Sequence, residues 1–588
     1  MLTPYTGPRS RLRFRTYDLE WFPKTLKLRC AGVFDGARYT CYDDMADFLD
    51  SELTAENRGI IWFAHAGGLA DVQFVLTEIM RRRAQDVKVE AIFSGSSAII
   101  VKVMRGRNSW TFCDSLWLLK SGLQTIAESL GQSKEDTWTC ADYDASRTKG
   151  DRCQHEREKE KCVFYAPMGI LRSYNEQDCR ILYGAIDRFQ EELLELGGAL
   201  RLTVASCAMR LFRSRYLTRT INTDSIVNTE ARDAYFSSRT EPFANECSDA
   251  SMYDINSSFP FSMTDPNLPG SLIRSGRTIP KKGIYLADVD VLVPESYLPP
   301  LPYRAGGRVF FPWGRWRGWY CDTDLELLES VGGRILEVFR VREFEPMPDL
   351  TEYVHDLYAK RKASTDEFRR MLLKYLLNSC YGKFGESGVK ERVVWNPASH
   401  ECPHNGIHVN EHGVSECIRD IRPGLVAIAD TVEVPHEHVP MAVKITALSR
   451  KQLYGWIDLA HRQLRKPVYY CDCDSVATKA TLPVGRELGQ LKLEKHIDSA
   501  RFIAPKLYRV NDTIKAKGFP RLSLDDFAAL DRGDAIEFRR MLRVRELFRK
   551  GLDTPQEIVT EKRLWENKTK RKHIGNDSRP WHLNELND

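Results

Sequence analysis

The chain has 588 residues, of which 42% are hydrophobic and 28% charged; 86 basic side chains against 81 acidic ones leave a formal net charge of +5. That length predicts about four modules, and the composition excludes a disordered or collagen-like chain. No apolar run reaches the roughly 20 residues that cross a bilayer, and so small a net charge proves no nucleic-acid partner by itself, although local basic clusters carry more weight than the sum.

The amino end, MLTPYTGPRSRLRFRTYDLE, has no apolar core of the kind a secretory signal needs. Fifteen scattered cysteines show no disulfide framework, so the expected setting is reduced and cytoplasmic. From 12 to 180, short β-rich runs (RFRTYDL, GIIWFAHA, AIIVKVM, WTFCDS) alternate with helix-like stretches, a mixed α/β pattern. A second β-rich block (GIYLADVDVLV, RVFFPWGRW, ILEVFRVREF), punctuated by Pro and Gly, reads as an inserted sheet module. Residues 351–381 read helical. Residues 385–440 read turn-rich and hold six of the thirteen histidines. A helix-like ITALSRKQLYGWIDLAHRQL precedes the strand PVYYCDCDS, and the tail from about 530 reads charged and helix-prone.

Three acidic placements in the second half belong together. YDINSSFP sets Asp254 at the end of a strand, and YCDCDS sets Asp472 and Asp474 two apart, on one face if the strand runs through them. Between them, RRMLLKYLLNSCYGKFG spaces Arg370, Lys374, Asn378 and Tyr381 along one helix face. Cations there suit a triphosphate, and an aromatic ring suits a base. Carboxylates from two strands suit two divalent ions placed for phosphoryl transfer, and hard oxygen ligands favour Mg2+ or Mn2+. Singly these signals are weak, because a D-x-D is commonly a solvated hairpin tip and a basic helix commonly a wet face. Their order and spacing sharpen them.

DINSSFP, KYLLNSCYG and YCDCDS resemble motifs A, B and C of the family B DNA polymerases, with details closest to the protein-primed branch of phages and linear plasmids. The resemblance implies that Asp254 and Asp474 are metal ligands with Asp472 beside them, and that Lys362, Arg370 and Lys374 hold the incoming triphosphate. Asn378, Ser257 and Ser258 complete that nucleotide site. Tyr381 would pack on the base pair, and Phe259 stands where the family uses a tyrosine to exclude ribose. TALSR resembles a duplex-binding T-x-x-A/G-R element, with Thr446 and Arg450 as its contacts. KLY places Lys506 and Tyr508 like an element that holds the primer terminus.

In the first half, TYDLE puts Asp18 and Glu20 on one strand face, Asp71 opens a helix-like run, and Tyr174 and Asp178 lie four apart. The order resembles the same family's 3′–5′ exonuclease domain, an RNase H-like fold, with Asp18, Glu20, Asp71 and Asp178 as implied metal ligands. The family's second exonuclease motif carries an asparagine and an aromatic where HAGGLAD has Gly67 and Ala70; His65 is the candidate substitute. Ser115 and Leu116 resemble a single-strand-binding element, and Tyr235 sits where the family has a linker between the two activities.

The implied layout is exonuclease 1–195, palm 196–264 and 439–530, fingers 351–384 and thumb 531–588, with insertions at 265–350 (terminal-protein region type) and 385–438 (strand-displacement hairpin type). His400, Cys402, His404, His408, His412 and Cys417 form a candidate zinc cluster, although a His-rich hairpin is the plainer reading. Cys140, Cys153, His155 and Cys162 form a second. The tail KRLWENKTKRKH, with Trp565, is expected to grip phosphates. The expectation is therefore a monomeric DNA-dependent DNA polymerase with a proofreading exonuclease, two Mg2+ or Mn2+ ions per active site, and template-primer DNA, dNTPs and a terminal protein as partners. It would copy a linear phage or plasmid genome. Alternatives are a relative that starts strands without a protein primer, a nuclease with an inert polymerase half, and a non-catalytic DNA-binding replication protein.

Overall fold

The computed structural model describes residues 1–22, 25–82, 84–94, 97–132, 166–396, 406–409, 415–422, 424–431, 434–519, 522–552, 554–564 and 569–587. No helix among them is long and apolar enough to cross a membrane.

The amino-terminal strands Phe14–Trp21, Ile61–Ala64 and Asn108–Asp114 lie parallel and adjacent. Parallel neighbours need a crossover rather than a tight turn, and helix Asp71–Arg82 lies in the connection. Antiparallel strands Leu28–Phe34 and Tyr39–Tyr42 extend one side, and Ser97–Arg105 and Val87–Ser94 the other. Helix Met168–Glu195 packs on Phe14–Trp21 and Leu28–Phe34. This is the RNase H-like arrangement expected.

The stretch 385–440, expected to be turn-rich, instead contains among its described residues the strands Val389–Trp395, Gly406–Val409, Ser415–Arg422 and Leu425–Thr431. They continue the amino-terminal sheet, because Val389–Trp395 pairs antiparallel with Val87–Ser94. The period-2 pattern explains the fit. Val393 and Trp395 enter the core that holds Val89 and Ala91, while Arg392 on the other face reaches Glu90 at 3.3 Å and Glu416 at 3.1 Å.

A second, wholly antiparallel sheet runs in the order Thr513–Ala516, Leu507–Val510, Leu491–Ala504, Glu246–Ile255, Ser475–Thr478, Val468–Asp472, Thr240–Pro242. Helix Val439–Asp458 is largely buried, its buried Lys444 and Arg450 neutralised by Asp322 and Asp324. Between 265 and 350, strands Pro269–Gly276, Arg334–Pro346, Ile284–Val293 and Gly314–Cys321 form a separate four-stranded sheet, as the inserted module required. Helices Asp349–Ala363 and Glu367–Ser379 follow. Their apolar faces share one core with helix Met168–Glu195 and with Val204–Leu211, joining the two halves of the chain.

The tail departs from the helical expectation. Strands Ile536–Met541 and Glu557–Lys562 pair around the short helix Val544–Arg549. Val544 and Phe548 enter the amino-terminal core, and Gln73 Nε2 donates to Leu542 O at 2.7 Å. The expected phosphate grip is corrected for Arg571, while Arg563 of the same stretch stays 67% exposed beside Glu561. Arg571 is 1% exposed, donates to Tyr297 O at 3.0 Å and Ser578 Oγ at 2.9 Å, and lies 3.6 Å from the buried Glu241. Lys572 is paired with Glu585 at 2.9 Å. A buried cation such as Arg571 needs such partners and leaves DNA none of its charge, whereas Lys572 stays 42% exposed; Trp565 lies outside the described residues.

Candidate active sites

Register brings the second-half acids together. Asp254 ends strand Glu246–Ile255 and pairs with Ser475 on Ser475–Thr478, and Ile255 N donates to Asp474 O at 2.7 Å. Asp472 and Asp474 do not share a strand face. The strand stops at Asp472, and Cys473-Asp474 form a two-residue hairpin turn, with Cys473 at φ 61° and Asp474 N donating to Asp472 O at 2.7 Å. The turn, not strand alternation, points Asp474 toward Asp254. Burial first, then the charges of Asp254 and Asp472, push the Asp474 carboxyl up to about 6. Two lysines answer the other acids: Lys492 Nζ lies 2.7 Å from Asp254 Oδ2 and Lys506 Nζ 2.6 Å from Asp472 Oδ1. Thr240 Oγ1 also donates to Asp472, at 3.2 Å.

A cleft of about 650 Å3 opens over these groups. Among the described residues lining it, Asp254 and Asp474 are the acids, and they face Arg361, Lys362, Arg370, Lys374, Arg486 and Lys492. Arg370, Lys374 and Asn378 share the exposed face of helix Glu367–Ser379, as their spacing predicted. Lys362 reaches across to Glu487 at 2.7 Å. Arg361, Arg486 and Lys492 escaped the sequence reading because no local pattern sets them apart from ordinary surface cations. Ser257, at φ 53°, turns the strand into the helix Ser258–Ser262. Phe259 stacks on Tyr381 with ring centroids 4.4 Å apart and planes 15° from parallel. Ser258 is buried instead, sharing a 3.0 Å hydrogen bond with Ser449.

Three other expected contacts are also buried. Arg450 forms an ion pair with Asp324 at 2.9 Å, both 3–4% exposed, and donates to Phe236 O and to Thr446 Oγ1. Arg450 therefore ties helix Val439–Asp458 to its neighbours, Thr446 bonds within that helix to Val443 O and Arg450, and neither side chain is exposed to a duplex. The Tyr508 ring packs against the stacked pair Phe502 and Tyr470 at 4% exposure. Tyr235 ends helix Ser225–Ala234 and fills the space beside Gly385, where any side chain would meet its ring at 2.6 Å.

In the amino-terminal half, Asp18 and Glu20 lie on one face of Phe14–Trp21, and Tyr174 and Asp178 on one side of Met168–Glu195. Burial first, then the charges of Asp178, Glu20 and Asp18, hold the Tyr174 hydroxyl well above its ordinary range, so the four groups are neighbours. Asn175, which the sequence reading missed, donates to Asp18 Oδ2 and to Asp18 O, each at 3.0 Å. Asp71 is 6% exposed and accepts Leu19 N at 3.2 Å; burial pushes its carboxyl up to about 7. The charge of Asp114, also missed, adds to that shift, and burial pushes the Asp114 carboxyl itself up to about 6. Ser115 is wholly buried, donating to Ala64 O and lying 3.1 Å from His65 Nδ1, so it offers no contact to single-stranded DNA. Leu116 is half-buried.

The zinc expectations fare differently from the acids. His408 pairs with Glu416, and Cys417 with Ile407, on adjacent strands. His408 and Cys417 therefore face opposite sides of the sheet and cannot share an ion. His400, Cys402, His404, His412, Cys140, Cys153, His155 and Cys162 lie outside the described residues. Among the described residues no three His, Cys, Asp or Glu side chains are arranged as a metal cage. Mg2+ does not require one: it is held through one or two carboxylates together with substrate phosphates. Asp474, disfavoured as a charge by burial and by Asp254 and Asp472, would with those two carboxylates supply such a hard-oxygen donor set, once Lys492 and Lys506 yield to the ion.

Comparison with known proteins bears on the family and the fold. A family described as DNA polymerase type B, organellar and viral, matches residues 56–410. A probable DNA polymerase of Podospora anserina is 27% identical over 73% of this chain and 41% of its own length, and one of Neurospora intermedia 26% identical over 58% and 37%. The chain thus spans about two fifths of the curated relatives it matches. Phi29 DNA polymerase in complex with primer-template DNA superimposes with a TM-score of 0.68 at 16% identity, covering 94% of this chain and all of that one. Its ternary complex with incoming nucleotide superimposes at 0.70. With the family matched across more than half of the sequence and the fold shared over nearly all of it, the chain belongs to the organellar and viral type B DNA polymerases.

Proposed function

We propose that the chain is a DNA-dependent DNA polymerase with a 3′–5′ proofreading exonuclease, and that protein-primed initiation starts its strands. The observation that carries the first reading is the cleft in which Asp254 and the Asp472–Asp474 turn meet beneath a wall of cations. Arg370 and Lys374 neutralise the triphosphate, and the stacked Phe259 and Tyr381 form the floor for sugar and base. The primer 3′-OH attacks the α-phosphate and pyrophosphate leaves. Phosphoryl transfer asks the protein mainly for positioning and charge neutralisation. Divalent ions held by Asp254 and Asp474 would supply the remaining positive charge at the attacking and leaving oxygens. Primer extension by the intact chain with Mg2+ tests this. Asp474→Ala should abolish incorporation and spare DNA binding; incorporation by that variant, or none by the parent, refutes it.

For editing, the support is the juxtaposition of Asp18, Glu20, Tyr174 and Asp178, with Asn175 orienting Asp18. For protein priming, the support is the separate four-stranded sheet within 265–350 and the strands within 385–438, which this reading assigns to the branch's two insertions. Initiation on a linear template with and without a candidate terminal protein tests it. Equal initiation without the protein would favour a relative that primes otherwise.

A further inference from the structure

Among the cleft cations given no part in the chemistry above, Lys492 is the one paired with a candidate metal ligand. Lys492 lies on Leu491–Ala504, directly opposite Asp254 in the strand register, and its Nζ is 2.7 Å from Asp254 Oδ2. Directly opposed residues share a sheet face, so the pairing of the strands itself delivers this ammonium to the carboxylate. The side chain is 51% exposed and lines the cleft with Arg370, Lys374 and Arg486. Lys506 on Asp472 differs. Its backbone is pinned at φ 63° with its N–H on Tyr470 Oη, and Asp472 is buried beneath it.

We propose that Lys492 is a tethered counter-ion for Asp254: it competes with the divalent ion for that carboxylate and, once displaced, turns to the triphosphate. A single positive charge on a flexible four-carbon stem holds the empty site without closing it. After displacement the same stem reaches the cationic wall, which coincides with the arrival of a nucleotide carrying its own negative charge. Lys492 is thus a positioning residue that links ion entry to nucleotide entry. The inference rests on the reading of the cleft as the site of synthesis.

The test uses the full chain in an Asp18→Ala background, which silences the exonuclease site. Free Mn2+ is followed by electron paramagnetic resonance without DNA or nucleotide. Lys492→Met, which keeps the stem and removes the charge, should bind Mn2+ about fivefold tighter, the upper range for displacing a half-exposed ion pair. At saturating Mn2+ it should raise the dNTP KM about fivefold with little change in kcat, and Lys492→Arg should keep both values near the parent's. Equal or weaker Mn2+ binding by Lys492→Met overturns the inference while leaving the polymerase reading in place. If the parent binds no Mn2+ that Asp474→Ala removes, the reading of the cleft as a metal site fails, and this inference fails with it.

Discussion

Asp474→Asn should make the ion-free protein more stable while destroying its synthesis. The side chain keeps its shape and loses a charge that the fold disfavours. The carboxyl is pushed from its ordinary 3.8 up to about 6, by burial first and then by Asp254 and Asp472. Two pKa units at about 1.4 kcal/mol each amount to about 3 kcal/mol in favour of the neutral form. Because the folded-state value lies above the unfolded one, the cost is absent below both values and complete above them. The gain should therefore be full at pH 8, about half at pH 5, and gone below pH 4. Spread over a chain of 588 residues, unfolding entropy near 2.1 cal/mol/K per residue converts 3 kcal/mol into about 2 °C of melting temperature, and more if a smaller unit melts by itself. Scanning calorimetry in EDTA at the three pH values is the assay. With both proteins in an Asp18→Ala background, added Mn2+ should raise the melting temperature of the one that keeps Asp474 and leave the variant's nearly unmoved. A variant no more stable than the parent at pH 8, or a gain that does not shrink on acidification, would refute the reasoning.

Asp18→Ala should stop degradation of single-stranded DNA and leave extension intact. Asn175→Ala, which frees Asp18 from both hydrogen bonds, should slow degradation about tenfold, as loss of a group that orients a ligand does; a gel assay of both activities checks the pair. Arg450→Met leaves Asp324 charged and buried, so it should cost about 3–5 kcal/mol in thermal unfolding. Arg450→Met combined with Asp324→Leu should recover most of that loss, and duplex affinity should keep its salt dependence in whatever folds. Phe259→Ala removes the ring stacked on Tyr381 and should raise ribonucleotide incorporation about tenfold relative to dNTP incorporation, read from single-turnover rates on one template.

What could be read along the chain was local periodicity. Two residues per strand repeat put Asp18 and Glu20 together, and helical spacing put Arg370, Lys374 and Asn378 on one face; both hold because backbone geometry alone enforces them. The paired aspartates were found for a partly mistaken reason, since a two-residue turn rather than a continuing strand sets Asp474 against Asp254. TALSR and KLY misled in another way. Thr446, Arg450 and Tyr508 have the residue types of contacts to DNA, yet burial turns them into structural ties. Residue type says what a group can bind, and only packing says whether solvent or a ligand can reach it.

By itself the chain of residues determined the kinds of chemistry available: strands ending in acids, a cationic helix, and a first half and a second half each carrying its own set. Tertiary structure decided which groups meet. It set Lys492 against Asp254 by strand register, joined Asn175 to Asp18, sealed Arg571 beside Glu241, and added Val389–Trp395 to the edge of the amino-terminal sheet. Those contacts join segments far apart along the backbone. The free energy that selects them comes from burying shared apolar surface and pairing otherwise unsatisfied polar groups, terms with no expression in any local stretch of sequence.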